Sequence, residues 1–216
     1  YKGEIQGQSL GIDVDVFLDN GKSTKEGEQG ELVVKQPFPS MPIKFWGDID
    51  GEKYHKAYFS KFKNIWHHGD YIERTSNNGF IMRGRSDATL NPGGVRIGTS
   101  EIYQQVEDIN FITEGLVVGQ DYKDDIRIIL FVTTKDNQEL DEEKIKLIKM
   151  KIRKNCSPKH VPSLIIKVPE IPRTKSGKIV ELAVRKVINK EELNNLEAIA
   201  NPKSLDFFKN LPQLKI

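Results

Sequence analysis

Residues Gly84–Gly98 read GRSDATLNPGGVRIG, and this stretch decides how the rest of the chain is interpreted. Four glycines and one proline among its fifteen residues allow sharp turns and a close approach of the backbone to a ligand. Before it, hydrophobic residues alternate as they do in β-strands, whereas helical and strand patterns are mixed after it. We therefore predict an α+β chain with a boundary near Asp87, which divides it into domains at residues 1–86 and 87–216.

The first part of the chain is predicted to be rich in β-structure. Alternating or β-branched residues predict strands at Ile12–Leu18, Glu31–Lys35, Tyr71–Arg74 and Phe80–Arg83. Turn residues at Asn20-Gly21 and at Ser76–Gly79 fit between the members of each pair. An aromatic-rich stretch favours an amphipathic helix around Lys53–Phe62. The first part is therefore predicted to contain two hairpins and one helix.

The second part mixes helices and strands. Helices are predicted over residues 99–109, 141–154 and 178–189, and strands over residues 116–118, 126–133 and 164–168. Thr99 is the candidate N-cap of the first helix, and Asp141 lies near the start of the second. The last helix is expected to bury one stripe, formed by Ile179, Leu182, Ala183 and Val187.

The composition excludes several classes of protein. The 33 Lys and Arg residues against 31 Asp and Glu give a net charge of +2, which is not typical of a protein that binds nucleic acid through phosphates. Cys156, the single cysteine, can form neither an internal disulfide nor a cysteine-rich zinc site, which favours a cytoplasmic location. No apolar run approaches the roughly 20 residues that span a bilayer. Because the chain begins at Tyr1 with neither an initiator Met nor a signal peptide, we expect a fragment of a longer protein.

Two short segments besides Gly84–Gly98 carry chemically specific residues. In His67-His68-Gly69-Asp70, expected just before a strand, the Asp70 carboxylate can accept hydrogen bonds from a diol such as a ribose, or it can simply cap a turn. The paired histidines do not predict a metal site, because neighbouring strand residues point to opposite faces and no third ligand is close in sequence.

The other segment, Pro172-Arg173-Thr174-Lys175-Ser176-Gly177-Lys178, is a basic loop expected to open into the final helix. Such a loop can close over an anion, since a helix N-terminus adds positive potential, although an exposed basic turn is the plainer interpretation. It is not a Walker A loop, because the first glycine of that pattern is missing. In Gly84–Gly98, Arg85 and Arg96 offer planar forks that suit phosphate or ribose oxygens, or they are two solvated arginines of a connector.

Taken in order, the three segments resemble motifs of the acyl-adenylate-forming ligases. His68-Gly69-Asp70 resembles the "TGD" segment of the superfamily, Gly84–Glu101 its hinge motif, and Pro172–Lys178 its C-terminal lysine motif. Within the superfamily the likeness is to acetoacetate–CoA ligases, through Phe38–Trp46, Trp66–Asp70, Asn91–Tyr103 and the tail Asn201–Leu205. Acetyl-CoA synthetases are similar in the lysine motif but usually read NVSGHR where this chain has NPGGVR.

The resemblance implies a division of the chain between two domains of the family. Residues 1–86 would be the β-rich end of the large N-terminal adenylation domain, and residues 87–216 the small, mobile α+β C-terminal domain. The phosphate-binding loop, the adenine-binding segment and the acyl pocket lie upstream of Tyr1 in the order of the family. The chain alone is therefore expected to be inactive.

The resemblance also implies a reaction and a set of roles. Acetoacetate, ATP and CoA would give acetoacetyl-CoA, AMP and diphosphate through an acyl-adenylate, with Mg²⁺ bound through the ATP phosphates by ligands mostly outside this chain. Lys178 would be catalytic, Asp87 the hinge, and the missing N-terminal domain the partner. The nucleotide would be bound by Asp70, Arg85 and Arg96, and CoA by Gly93, Gly94 and Arg153.

Some alternatives stay open at this point. The match at Arg153 is loose, and a solvated basic helix end explains that residue about as well. A lysine acyltransferase or deacylase acting on Lys178 is a further expected partner. An acetyl-CoA or other short-chain acyl-CoA synthetase is the close alternative for the activity, and a stand-alone nucleotide- or CoA-binding module without catalysis is the distant one.

Overall fold

The structure is a computed structural model and describes residues 1–5, 7–193 and 196–214. It forms two compact units, Tyr1–Asp87 and Ala88–Ile216. The first unit contains β1 (Val14–Phe17), β2 (Gln29–Val34), α1 (Glu52–Tyr58), β3 (Trp66–Arg74) and β4 (Phe80–Arg85). The second contains α2 (Thr99–Val106), β5 (Ile112–Tyr122), β6 (Asp125–Thr134), α3 (Glu142–Asn155), β7 (Leu164–Lys167) and α4 (Glu181–Ile188). Within the described ranges, no helix is long and apolar enough to cross a membrane.

The first unit is built on an antiparallel sheet with the strand order β1-β2-β3-β4. The alternation of the sequence decides its inner face, where Val16, Ile72 and Phe80 are buried. Asn20-Gly21 lies in a tight turn closed by a 2.8 Å hydrogen bond from the Leu18 N–H to the Lys22 carbonyl. Both predicted hairpins are therefore present.

Helix α1 is shorter than the sequence predicts, since it ends at Tyr58 and not at Phe62. The aromatic side chains explain the difference. Tyr58 stacks on Trp66 with 3.8 Å between the ring centroids. Phe62, beyond the end of the helix, is buried and packs edge-on against Phe17, with 5.5 Å between the ring centroids.

The second unit places a three-stranded sheet between two apolar layers. The order is β5-β6-β7, with an antiparallel β5–β6 pair and a parallel β6–β7 pair that α3 connects. Alternate residues of β5 and β6 face opposite layers. Val117 and Leu130 pack with α2 and α3, whereas Leu116 and Phe131 pack with α4 and the C-terminal segment. The long β5–β6 hairpin is therefore the central support of this unit.

Two local predictions for the second unit were wrong, and the predicted stripe of the last helix is right only in part. Gly98, not Thr99, is the N-cap of α2, and its N–H donates to Glu101 Oε1 at 3.3 Å. Helix α4 begins at Glu181 rather than Lys178, because the preceding residues form a separate turn. Of the predicted stripe, Ile179, Ala183 and Val187 pack against the core, whereas Leu182 is 38% exposed. The buried residues of α4 are Val184 and Ile188, which the prediction did not include.

Candidate functional site

The first unit brings together Asp70, Arg85 and Asp87. Asp70 does not precede a strand, as predicted, but lies inside β3, directly opposite Arg85 of β4. Arg85 Nη1 donates to Asp70 Oδ1 at 3.1 Å and to the His68 carbonyl at 2.7 Å. The other guanidinium nitrogens lie 3.4 Å from the two Asp87 oxygens. Strand pairing thus sets a carboxylate beside a planar cation, an arrangement that suits a ribose or a phosphate.

Gly69 makes this arrangement possible. Its φ is +82°, and a Cβ built there would lie 2.7 Å from Arg85 Nη2. The absence of a side chain therefore lets the guanidinium lie against the strand. On the neighbouring position, burial lowers the pKa of His68, although the Asp70 carboxylate opposes the shift. His68 is therefore neutral at pH 7, with Nδ1 3.6 Å from Asp70 Oδ2, too far for a hydrogen bond.

Glu31, which the sequence did not mark as a site residue, is connected to this region through Ser86, the residue between Arg85 and Asp87. Its side chain is fully buried and accepts hydrogen bonds from the Lys61 ammonium, from the Ser86 hydroxyl and from His67 Nε2 at 3.0 Å. Burial opposes ionisation, but these hydrogen bonds, His67 first, lower the pKa of Glu31 to about 2. A carboxylate inside the apolar strand GELVV was the available signal.

The first histidine of the pair is thus engaged by Glu31, and the second lies beside Asp70. Across residues 1–5, 7–193 and 196–214, no three His, Cys, Asp or Glu side chains are grouped as a metal site. The structure assigns the two histidines to different neighbours on the sheet.

The glycine loop, residues 91–96, is the exposed tip of a small hairpin in the second unit. Buried Leu90 and Ile97 pair through two 2.9 Å backbone hydrogen bonds and so fix the base of the loop. Gly93 and Gly94 both have positive φ, +56° and +76°, and a Cβ at Gly94 would meet nothing within 4 Å. The loop presents exposed backbone with open space beside Gly94, and Arg96 is exposed at its end.

The lysine loop, Arg173–Lys178, is a closed turn. The Thr174 N–H donates to the Lys178 carbonyl, and the Gly177 N–H donates to the Thr174 carbonyl, both at 2.8 Å. The Lys178 N–H donates to Thr174 Oγ1 at 3.0 Å. These bonds hold the backbone of Lys178 in the turn and leave its side chain exposed, outside α4.

Arg173 fastens this loop to its surroundings. Its guanidinium forms an ion pair with Glu114 of β5, with Nε at 3.0 Å from Oε1. Its N–H donates to Asn201 Oδ1, and its carbonyl accepts from the Ala200 N–H, both at 2.8 Å. The tail that carried part of the sequence resemblance is therefore in direct contact with the lysine loop.

The two loops are attached to opposite ends of the β5–β6 hairpin. Glu114, near the start of β5, holds the lysine loop, whereas Asp125, at the far turn, accepts hydrogen bonds from the Gly93 N–H. Eight residue steps of β5, from Glu114 to Tyr122, span about 27 Å. Arg153, the other predicted CoA contact, lies exposed in the last turn of α3. The second unit thus carries two chemically different loops, far apart on one rigid support.

Comparison with known sequences finds strong similarity over the whole chain. No protein-family model matches. An acetoacetyl-coenzyme A synthetase of Rhizobium meliloti (strain 1021) is 55% identical over 215 residues, which cover 100% of this chain and 33% of that protein. An acetoacetyl-CoA synthetase of Xenopus tropicalis is 47% identical over 217 residues, 100% of this chain and 32% of that protein. The chain thus spans about a third of the length of these curated relatives.

Solved structures agree with the sequences. The acetoacetyl-CoA synthetase of Streptomyces lividans superposes with a TM-score of 0.90 at 40% identity, covering 98% of this chain and 32% of that one. An anthranilate CoA ligase in complex with anthranoyl-AMP superposes with a TM-score of 0.74 at 22% identity, which shows the fold alone. The predicted resemblance and the α+β fold are confirmed.

Proposed function

We propose that this chain is the C-terminal part of an ATP-dependent acid–CoA ligase. The proposal is supported by its similarity to acetoacetyl-CoA synthetases, which covers the whole chain and about a third of each of those proteins. The enzyme converts acetoacetate, ATP and CoA into acetoacetyl-CoA, AMP and diphosphate through acetoacetyl-AMP. The observation that carries the proposal is the pair of loops at opposite ends of one hairpin, one presenting a lysine and the other presenting glycine backbone. Such a domain can serve two half-reactions by turning a different end towards the substrate.

In the first half-reaction the carboxylate of the acid attacks the α-phosphate of ATP, and pyrophosphate leaves. Negative charge gathers around the reacting phosphate, where a positioned ammonium stabilises it. Lys178 fits this catalytic role because its exposed side chain stands on a hydrogen-bonded turn. The Asp70 carboxylate accepts hydrogen bonds from the ribose hydroxyls, and the neighbouring Arg85 makes a second contact with the nucleotide. Arg96 would meet the phosphates.

Mg²⁺ would enter with the ATP phosphates. The described part of the chain holds no group of three candidate ligands, so residues outside this chain and the phosphates themselves would hold the ion. When bound, Mg²⁺ supplies charge neutralisation at the phosphates.

In the second half-reaction the CoA thiol attacks the acyl-adenylate and releases AMP. We place the hinge at Asp87, the last residue of the first unit. After rotation the glycine loop would face the adenylate, with Gly93 and Gly94 against the pantetheine, and Arg153 would contact the CoA nucleotide. The open space beside Gly94 supports this role.

The domain assignment is part of the proposal. Residues 1–86 would end the large N-terminal domain, and residues 87–216 would form the mobile domain. Fully exposed Ile43, Trp46 and Ile49 support a covering partner for the first unit, which we take to be the rest of that domain. We also propose a cytoplasmic location and, because Lys178 is exposed, its accessibility to a lysine acyltransferase or deacylase.

A substrate panel with the full-length enzyme tests the function. Pyrophosphate release and thioester formation would be measured with acetoacetate, acetate and 3-hydroxybutyrate. We expect acetoacetate to give the highest kcat/KM, and a preference for acetate would favour a different short-chain synthetase. If no acid is activated while the full-length protein still binds ATP and CoA analogues, the protein is a binding module and the ligase proposal fails.

A further inference from the structure

The tip of the glycine loop has a backbone conformation that needs external support. Gly93 and Gly94 are consecutive residues with positive φ. In an unconstrained chain, glycine samples many other backbone conformations as readily as this one. Within the turn, the Val95 N–H donates to the Pro92 carbonyl at 3.2 Å. Ordering such residues costs conformational entropy. A ligand that needs this loop ordered binds more tightly when the protein has already ordered it.

Asp125 supplies that support. Both of its carboxylate oxygens accept from the Gly93 N–H, at 2.9 and 3.0 Å. Oδ1 also accepts from the Ile126 N–H at 2.7 Å, which fixes the orientation of the carboxylate. The Gly93 N–H, ahead of the other contacts, holds the pKa of Asp125 below its usual range, so the group is a carboxylate at neutral pH.

Asp125 lies at the end of a hairpin that is anchored in the core. Lys123 and Asp124, which join β5 to β6, have φ of +47° and +62°, as a tight two-residue hairpin turn requires. Asp125 follows as the first residue of β6, opposite Tyr122. The hairpin behind it carries fully buried Val117 and Leu130. The carboxylate is therefore attached to the hairpin that contributes to both apolar layers of the second unit.

Lys159 bounds Gly93 on another side. A Cβ built at Gly93 would lie 2.6 Å from Lys159 Nζ and 3.9 Å from Asp125 Oδ2. The residue at this position is thus enclosed by an ammonium and a carboxylate, while Gly94 beside it faces open space. The contacts hold one glycine and leave the other accessible.

We infer that Asp125 is a positioning residue for the thioester-forming half-reaction, holding the Gly93–Gly94 backbone in the conformation that receives the pantetheine of CoA. The inference rests on the proposed function, since it assigns the glycine loop to CoA. Asp125 itself touches no reacting atom in this scheme and acts through the Gly93 N–H. Its effect should therefore be confined to the step that uses CoA.

Matched substitutions in the β5–β6 turn of the full-length enzyme test the inference. Asp125→Ala removes both acceptors, Asp125→Asn keeps one acceptor without the charge, and Asp124→Asn is the control, because Asn tolerates the positive φ at that position. We expect kcat/KM for CoA to fall about 10-fold for Asp125→Ala and about 3-fold for Asp125→Asn, since a charged acceptor is replaced by a weaker one or by none. Pyrophosphate release without CoA should stay within twofold, and the control should match the wild type.

Hydrogen–deuterium exchange gives a readout that does not depend on activity. The peptide covering residues 91–95 should exchange faster in Asp125→Ala than in the wild type or in Asp124→Asn. Unchanged exchange, an unchanged CoA step, or an equal loss in both half-reactions would each overturn the inference. A wild-type enzyme that forms the adenylate but no thioester would instead refute the proposed function, and the exchange result would still decide whether Asp125 orders the loop.

Discussion

The lysine loop and the glycine loop share one support but are fastened to it differently. Backbone hydrogen bonds close the lysine loop on itself and join it to the 198–201 segment, and the Arg173–Glu114 ion pair attaches it to β5. The tip of the glycine loop is tied to the hairpin through the carboxylate of Asp125. In the proposed function, the first loop places a charge and the second provides accessible backbone and space.

This difference follows from the chemistry that we propose for each end. An ammonium stabilises a developing negative charge best when its position is fixed in advance, and the several contacts around Lys178 help to fix it. A pantetheine chain requires an unobstructed surface, which glycines provide if their conformation is fixed. We therefore expect the lysine loop to tolerate the loss of one anchor and the glycine loop to be sensitive to added side-chain volume.

The largest effect is expected from Lys178→Ala. Removing the ammonium should slow adenylate formation by about 10³-fold, in the range found for loss of a preorganised charge-stabilising group. Thioester formation from supplied acetoacetyl-AMP should remain, because in the proposed function that step uses the other end of the hairpin. Pyrophosphate exchange measures adenylate formation, and a thioester assay measures the second step. Lys175→Ala, at an exposed lysine of the same loop, is the matched control. Normal pyrophosphate exchange in Lys178→Ala would remove this lysine from catalysis.

Gly94→Leu should give the converse result. A leucine would fill the open space beside Gly94 and slow CoA-dependent turnover about 100-fold, while adenylate formation continues. Any non-glycine residue at φ +76° also carries backbone strain of about 1–2 kcal/mol, so Gly94→Ala is the control that has the strain without the volume. Equal losses in the two variants would mean that strain, not obstruction, governs the step.

Glu31 extends the comparison to a carboxylate anchor that is buried rather than exposed. Glu31→Gln should lower the free energy of unfolding of the domain that contains Glu31 by about 3 kcal/mol, measured in the full-length enzyme. The substitution breaks a buried network with Lys61, His67 and Ser86. Since the folded pKa is about 2 against an ordinary 4.5, the contribution is complete above pH 4.5 and is lost as the pH falls towards 2. Urea unfolding between pH 7 and pH 3 measures the difference between variant and wild type. A difference that is constant over this range would contradict the assigned ionisation.

The sequence predicted the elements better than it predicted what anchors the loops. Hydrophobic alternation found β5 and β6, and the motif residues Asp70, Arg85 and Lys178 were identified before their positions were known. Asp125 and Glu31 were missed, because each acts through a partner distant in sequence, Gly93 in one case and Ser86 in the other. The extension of the last helix back to Lys178 was wrong for a similar reason. The apolar stripe continues into residues whose N–H groups donate elsewhere, from Lys178 to Thr174 Oγ1 and from Val180 to the Pro172 carbonyl.

Asn201→Ala probes the anchoring of the lysine loop most directly and should have the smallest effect. Asn201 accepts from the Arg173 N–H at 2.8 Å and donates to Glu170 Oε1 at 2.8 Å and to the Ile171 carbonyl at 3.1 Å. Its loss leaves the Ala200–Arg173 and Ala198–Lys175 backbone bonds in place, so adenylate formation should fall only about 5-fold, the cost of the one hydrogen bond that the Asn201 side chain makes to the lysine loop. Exposed Lys203→Ala is the control in the same tail, and pyrophosphate exchange is the measurement. A loss approaching that of Lys178→Ala would mean that the tail side chain, and not the backbone ladder, positions the lysine, and the contrast between the two loops would then disappear.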